Sequence, residues 1–241
     1  MDWRDEGVLL SARLHGETSA IVEVFTKEHG RHAGLVRGGI SRKMTPILQP
    51  GNQVQLAWSA RLEEHLGTYV VDLIRSRSSV LQDRLATSAM ASLAALLRFS
   101  LPERQHLPRF YELTQAFLEA LVEMEDWQPF YALWEVALLE ELGFGLDLTR
   151  CAATGEEDDL IYVSPKSGQA VSADAGAPYA DRMLPLPAFL RGAPERSEGD
   201  VLAALNTTGF FLSRRLAPHL GNRPIPKSRD RFIAQLARRH L

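Results

Sequence analysis

Residues 30–51 read GRHAGLVRGGISRKMTPILQPG and hold the side chains best suited to contact a polyanion. Arg31, Arg37, Arg42 and Lys43 are spread along the stretch, His29 and His32 lie at its start, Gly38 and Gly39 interrupt it, and no acid falls within it. Guanidinium and ammonium groups spaced along a loop match the repeated phosphates of a nucleic-acid backbone. Paired glycines give such a loop backbone freedom and close approach. The expected chemistry is ionic attachment to phosphate, which fixes position and carries little sequence preference. A hydrated surface loop is the ordinary alternative, but the glycine pair, the lack of acids and the flanking strands favour contact. His29-x-x-His32 has no third ligand at useful spacing, so no metal is expected there.

The elements that must hold this loop are legible as a change of period. Apolar residues alternate at period two in Ile21-Val22-Glu23-Val24-Phe25 and in Val54-Gln55-Leu56-Ala57-Trp58. Strands are expected over 7–14, 20–26, 31–36, 52–59 and 67–75, a small closed sheet of the OB type or an SH3-like barrel. Trp58, Tyr69 and Phe25 lie in these strands, where they would either face the core or offer stacking platforms. From residue 79 the period becomes helical. Leu81, Leu85, Met90, Leu93, Leu96 and Leu97 form one apolar face, and Phe110, Leu113, Phe117, Leu118 and Leu121 a second. A third helix starts near Trp127, tolerates Pro129 in its first turn and stops at Gly143. Residues 146–178 are poor in helix signal and contain a small hairpin through 160–163 and 169–172. Helical character returns at 186–190, 201–205 and 210–216, and a basic helix is expected over 228–240.

Charge is segregated along the chain. The 241 residues carry a net charge of -3, so a polyanion site must come from local clustering. Residues 111–159 hold thirteen acids and one base, net -12; residues 214–239 hold eight Lys or Arg and one acid, net +7. Arg214, Arg215, Arg223, Lys227 and Arg229 in the latter segment are candidates for a partner site or a second nucleic-acid track. Their ordinary alternative is to complement the chain's own acidic middle. The acids at 156–159 read as a hydrated turn. Cys151 is the sole cysteine, so no internal disulfide forms, and the longest apolar runs fall far short of the roughly 20 residues of a spanning helix. No phosphate-binding Gly-rich loop and no Gly-x-Ser-x-Gly elbow occur, and no catalytic residues are expected.

The order of several segments then resembles a known family. Gly7-Val8-Leu9-Leu10, Val36-Arg37-Gly38-Gly39 followed by Leu48-Gln49-Pro50-Gly51, Glu140-Glu141-Leu142-Gly143-Phe144, Tyr162-Val163-Ser164-Pro165-Lys166-Ser167-Gly168 and the stretch 224–229 together resemble the RecO family of bacterial recombination mediators. The resemblance implies an α+β protein: an N-terminal five-stranded OB-fold β-barrel over 1–78, then a mainly α-helical domain over 79–241 with an insert at 146–178. It implies a non-enzymatic mediator of recombinational DNA repair that binds single- and double-stranded DNA, anneals complementary strands and assists RecA loading with RecR. RecR, the C-terminal tail of single-stranded DNA-binding protein and, indirectly, RecA are the implied partners, in the cytoplasm and at the nucleoid during repair. A general RNA-binding OB-fold module is the alternative.

One departure from the family pattern is chemical. Zinc-bearing members carry two Cys-x-x-Cys pairs; the matching positions here are Cys151 and Thr154, then Ser172 and Ala175. One thiolate cannot make the tetrahedral set of four that structural zinc requires. The insert is expected to be zinc-less, and the protein to use no cofactor.

Overall fold

The computed structural model describes residues 1–194, 196–197 and 199–239. The chain divides into two compact units, Met1–Glu123 with Pro226–Phe232 and Met124–Ile225 with Ile233–Leu241.

The first unit opens with five strands, β1 (Asp2–His15), β2 (Ser19–Thr26), β3 (Gly30–Val36), β4 (Gln53–Ser59) and β5 (Thr68–Arg75), closed into a barrel in the order β1-β2-β3-β5-β4. Neighbours are antiparallel except β3 and β5, which run parallel through Leu35–Thr68 and Val36–Tyr69. The α+β class and the five-stranded sheet expected from the sequence are therefore present. Alternation drives it: Val22 and Val24 on β2, Val54, Leu56 and Trp58 on β4, and Tyr69 and Val71 on β5 all turn into one core with Leu9 and Leu48. Each such side chain contributes roughly 1.5–3 kcal/mol on burial. A one-residue slip would expose the whole set, so the pattern also fixes register. Gly34 makes room for Tyr69, since a Cβ there would lie 2.3 Å from the ring. Across that gap the Tyr69 hydroxyl and His32 Nδ1 share a 2.7 Å hydrogen bond, so neither buried polar group is left bare.

β1 begins at Asp2, earlier than the alternation suggests. Its polar start misleads because Asp5, although buried, accepts from the backbone N–H groups of Glu6, Glu28 and His29 at 2.8, 2.9 and 3.2 Å. A carboxylate satisfied by three donors can be taken out of water.

Two helices complete the unit, α1 (Arg84–Ser100) and α2 (Pro108–Glu123). Asp83 caps α1, accepting from Leu85 N at 2.7 Å and Ala86 N at 3.3 Å. Phe110 and Tyr111 of α2 reach Phe25, with ring centroids 6.0 and 5.5 Å apart. Two residues assigned to apolar faces from sequence lie outside them. Leu81 is 65% exposed because it falls in a 3-10 turn before α1, and Leu113 is 51% exposed on the outer side of α2.

In the second unit, α3 (Gln128–Glu141) buries Tyr131, Ala132, Trp134, Leu138 and Leu139, and ends where Gly143 adopts φ +81°. A small sheet follows: β6 (Leu160–Val163) and β7 (Ala170–Ser172) form the expected hairpin, a short α4 (Ala173–Gly176) intervenes, and β8 (Leu184–Pro185) adds a third strand beside β6. α5 (Asp200–Phe211) then packs on α3 and continues through a π-turn, Leu212–Leu216, into α6 (Ala217–His219). Where the sequence suggested two helices there is one path, because no proline stands between residues 205 and 210 and α5 runs through Gly209. Thr208 Oγ1 donates to buried Glu135 Oε2 at 2.5 Å. The last helix, α7, is Lys227–Arg239; His240, expected at its end, lies outside the described residues.

Candidate nucleic-acid interface

The segment joining β3 to β4, residues 37–52, is built as a cap on the barrel. Leu48 is buried in the barrel core, with Met44 and Ile47 packed against it. Successive turns fix the backbone: Ser41 N donates to Gly38 O at 3.0 Å, Thr45 N to Ser41 O at 3.0 Å and Leu48 N to Met44 O at 2.9 Å. Asn52 closes the end, its Nδ2 donating to Pro46 O and Ile47 O at 3.0 Å each. The glycine pair has two separate causes. Gly38 adopts φ +66°, a region unfavourable to residues with a Cβ, and Gly39 sits where a Cβ would come within 2.7 Å of Ala20 Cβ. The loop is thus a fixed shelf, held beside the β1–β2 turn by Ile40 N donating to Thr18 O at 3.4 Å.

On this shelf Arg37, Arg42 and Lys43 are exposed, and among the described residues none of them has an ion-pair partner. Arg31 does not join them. It lies in β3 with a side chain only 14% exposed, its Nη1 2.9 Å from Glu23, its Nη2 3.4 Å from Glu103 and its Nε donating to Leu101 O at 2.9 Å. Its guanidinium is a strut between the barrel and the segment after α1, which removes it from the exposed set. Arg98 also binds Glu23, at 2.7 and 3.0 Å. Burial pushes the Glu23 carboxyl up, but Arg98 and Arg31 together outweigh it and hold the group below its usual value.

Other arginines of the first unit are similarly engaged with its acids. Arg75 pairs with Glu119 and Glu123, and buried Arg77 binds Glu119 at 2.6 Å and Gln115 at 2.7 Å. Glu119 and Glu123 of the acidic stretch are therefore taken by Arg75 and Arg77, and among the described residues the shelf cations have no ion-pair partner.

The C-terminal candidates separate. Arg214 is exposed on the π-turn. Arg215 is half-buried and donates to the carbonyls of Pro165 and Lys166, tying the helix to the turn between β6 and β7. Arg223 Nε donates to Leu220 O at 3.3 Å, and Lys227 is exposed at the start of α7. Arg229 is buried, which takes it out of any exposed track. Phe211 and Leu216 beside Arg214 are buried as well. Trp58, Tyr69 and Phe25 resolve to core positions and offer no exposed stacking face.

Comparison with known proteins shows the family. Residues 1–77 match the family model for the recombination protein O N terminal and residues 81–224 that for the recombination protein O C terminal. The chain belongs to the RecO family. Relatives named DNA repair protein RecO include those of Ruegeria sp. (strain TM1040), 56% identical over 240 residues, covering 99% of this chain and 100% of the relative, and Dinoroseobacter shibae, 56% identical over 239 residues with 99% of each covered. That of Cereibacter sphaeroides (strain ATCC 17029) is 53% identical over 238 residues, again with 99% of each covered.

Within this RecO-family chain, three of the four positions corresponding to the zinc-bearing pattern, Cys151, Thr154 and Ser172, meet. Cys151 is buried; its Sγ accepts from Ser172 N at 3.3 Å and lies 3.4 Å from Ser172 Oγ. Burial raises the thiol's pKa, but hydrogen bonds from Ser172, Thr154 and the Ala153 backbone bring it down to about 6. One sulfur and two hydroxyls do not fit structural zinc, and among the described residues no group of three or more His, Cys, Asp or Glu could hold a metal ion. Hydrogen bonds among Cys151, Ser172 and Thr154 hold these residues together instead.

Sequence reasoning missed Arg13 and the aromatic row beneath the barrel mouth. Trp3 stacks on His29 with centroids 4.0 Å apart and on Trp58 at 5.5 Å. Only the register of β1 against β4, which sets Trp3 opposite Trp58, brings that row together.

Proposed function

We propose that this protein is a non-enzymatic mediator of recombinational DNA repair whose barrel shelf binds the phosphates of single- and double-stranded DNA through Arg37, Arg42 and Lys43. The observation that carries this reading is that these cations are exposed on a fixed loop with no ion-pair partner among the described residues, while Arg31, Arg75, Arg77 and Arg98 are engaged by acids. Neutralising phosphates on two strands lowers their mutual repulsion and raises their local concentration, so complementary bases pair without nucleotide hydrolysis. Arg214, Arg223 and Lys227 are the exposed residues of the C-terminal group for a second DNA contact or for the acidic tail of single-stranded DNA-binding protein. RecR is the proposed partner in loading RecA, and the work is placed in the cytoplasm at the nucleoid. No helix among the described residues is long and apolar enough to cross a membrane.

The test is fluorescence-detected annealing of complementary oligonucleotides coated with the cognate single-stranded DNA-binding protein, run with DNA and RNA competitors. Faster annealing that DNA suppresses supports the proposal; no acceleration, or preference for RNA, rejects it in favour of a general RNA-binding module.

A further inference from the structure

We propose that the cleft between the β1–β2 hairpin and the 37–52 shelf receives one unpaired base of a strand whose phosphates lie on Arg13, Arg37, Arg42 and Lys43. This rests on the reading of the shelf as a DNA contact and adds to it a base subsite and a preference for single strands.

The cleft has a volume of about 260 Å³, and its walls include Arg13 and Leu14 from β1, Ala20 from β2, and Ile40, Leu48 and Gln49 from the shelf. Leu48 is a buried floor, while Leu14 and Ile40 stand at the rim 67% and 45% exposed. These are apolar surfaces that water covers in the free protein, and a planar base would cover them instead. The space is smaller than the roughly 300–1,000 Å³ of pockets that enclose drug-sized ligands, and suits a single ring system. Arg13 supplies donors at the wall, and Gln49, whose Nε2 donates to Thr45 O at 2.9 Å, offers its amide oxygen to a base edge.

Charge selects the occupant. Arg13, like the three shelf cations, is exposed and has no ion-pair partner among the described residues, whereas Glu17 in the β1–β2 turn is the one acid on the adjoining hairpin tip. Arg13 in the wall and three cations on the shelf segment that forms the other wall, against one carboxylate on the hairpin tip, match a ligand with a flat apolar body on an anionic chain. A larger cavity of about 320 Å³ beside α1 lacks this match, because its arginines, Arg77 and Arg98, are engaged by Glu119 and Glu23. In a duplex the bases are stacked inward and reach such a cleft only by flipping out, so the slot distinguishes single from double strands.

The double substitution Leu14→Ser with Ile40→Ser tests this while leaving every cation in place. Affinity for an oligo-dT single strand should fall about fivefold or more, toward the weak end of a base contact, with duplex affinity and the salt slope unchanged. A single strand carrying one 2-aminopurine should change its emission on binding wild type and lose that change with the variant. Unchanged single-strand affinity, or equal loss for single strand and duplex, overturns the subsite. The underlying reading fails separately, if Arg37→Ala, Arg42→Ala and Lys43→Ala together leave binding to both forms intact.

Discussion

Replacing Arg37, Arg42 and Lys43 together by alanine removes three exposed charges that have no ion-pair partner among the described residues, so the effect is on binding rather than on folding. Each cation that neutralises one phosphate contributes about 0.7 to the log–log salt slope on a single strand and about 0.9 on a duplex. Three of them account for slopes of about 2 and about 3. Between about 50 and about 200 mM salt, wild type should then lose roughly 20-fold more affinity than the variant on single strands and roughly 40-fold more on duplex. Fluorescence anisotropy titrations at four or more salt concentrations measure both slopes. Surface substitutions of this kind stay within about 0.5 kcal/mol in stability, so the melting temperature should hold. Equal slopes for the two proteins would refute the reasoning, and a weaker variant with an unchanged slope would show that affinity was lost for a non-ionic reason.

Arg31→Ala should do the opposite: it breaks two ion pairs and a bond to Leu101 O, costing about 2 kcal/mol and lowering Tm by roughly 4–8 °C, with the DNA salt slope unchanged. A lowered slope at unchanged Tm would restore Arg31 to the interface. His32, pulled by burial and then by the Arg104 charge from 6.5 to about 4, is neutral when folded while the unfolded chain takes up its proton. Its contribution is complete above pH 6.5 and is lost as pH falls toward about 4. Glu23, held low, adds a loss in the same direction at more acid pH. Urea unfolding across this range should show stability falling with pH, and His32→Gln should flatten the upper part; an identical profile in the variant would reject the assignment. Elemental analysis should find no stoichiometric zinc, and a chelator should leave Tm unchanged; one equivalent of bound zinc would contradict the hydrogen-bonded reading of Cys151 and Ser172.

The barrel was readable because its strands bury one face, and Val22, Val24, Val54, Leu56 and Trp58 announce that face at period two. The front of β1 was hidden since the burial of Asp5 depends on donors from a turn more than twenty residues later. β8 was hidden for another reason: two residues ending in proline carry no periodicity, and only pairing with β6 makes them a strand. At the shelf, the types and spacing of Arg37, Arg42 and Lys43 could be read directly. The fate of Arg31 could not, because Glu23 and Glu103 come to it through the β2–β3 register and the path of the chain after α1. Arg13 reads as an ordinary polar strand residue until folding sets the end of β1 against the shelf. Likewise Arg229 looks like any member of a basic helix, and its burial is a tertiary fact.

A chain of net charge -3 can present a cationic surface where its nearby acids are engaged and the rest are distant. In the first unit Glu23 takes Arg31 and Arg98, Glu103 reinforces Arg31, and Glu119 with Glu123 takes Arg75 and Arg77. The Glu23–Arg31 and Glu119–Arg77 pairs are partly buried and held by several hydrogen bonds, so salt screens them less than it screens exposed charges. A phosphate approaching the shelf meets charges within a Debye length of about 8–10 Å at ordinary ionic strength, and more distant carboxylates are largely screened. Local pairing therefore decides the sign of the surface, and net charge does not. The same pairing explains why Arg31 before the shelf and Arg75 and Arg77 after β4 are structural: their acids sit on β2 and α2 or in the segment between α1 and α2, while Arg37, Arg42 and Lys43 stand in solvent on the cap formed by residues 37–52.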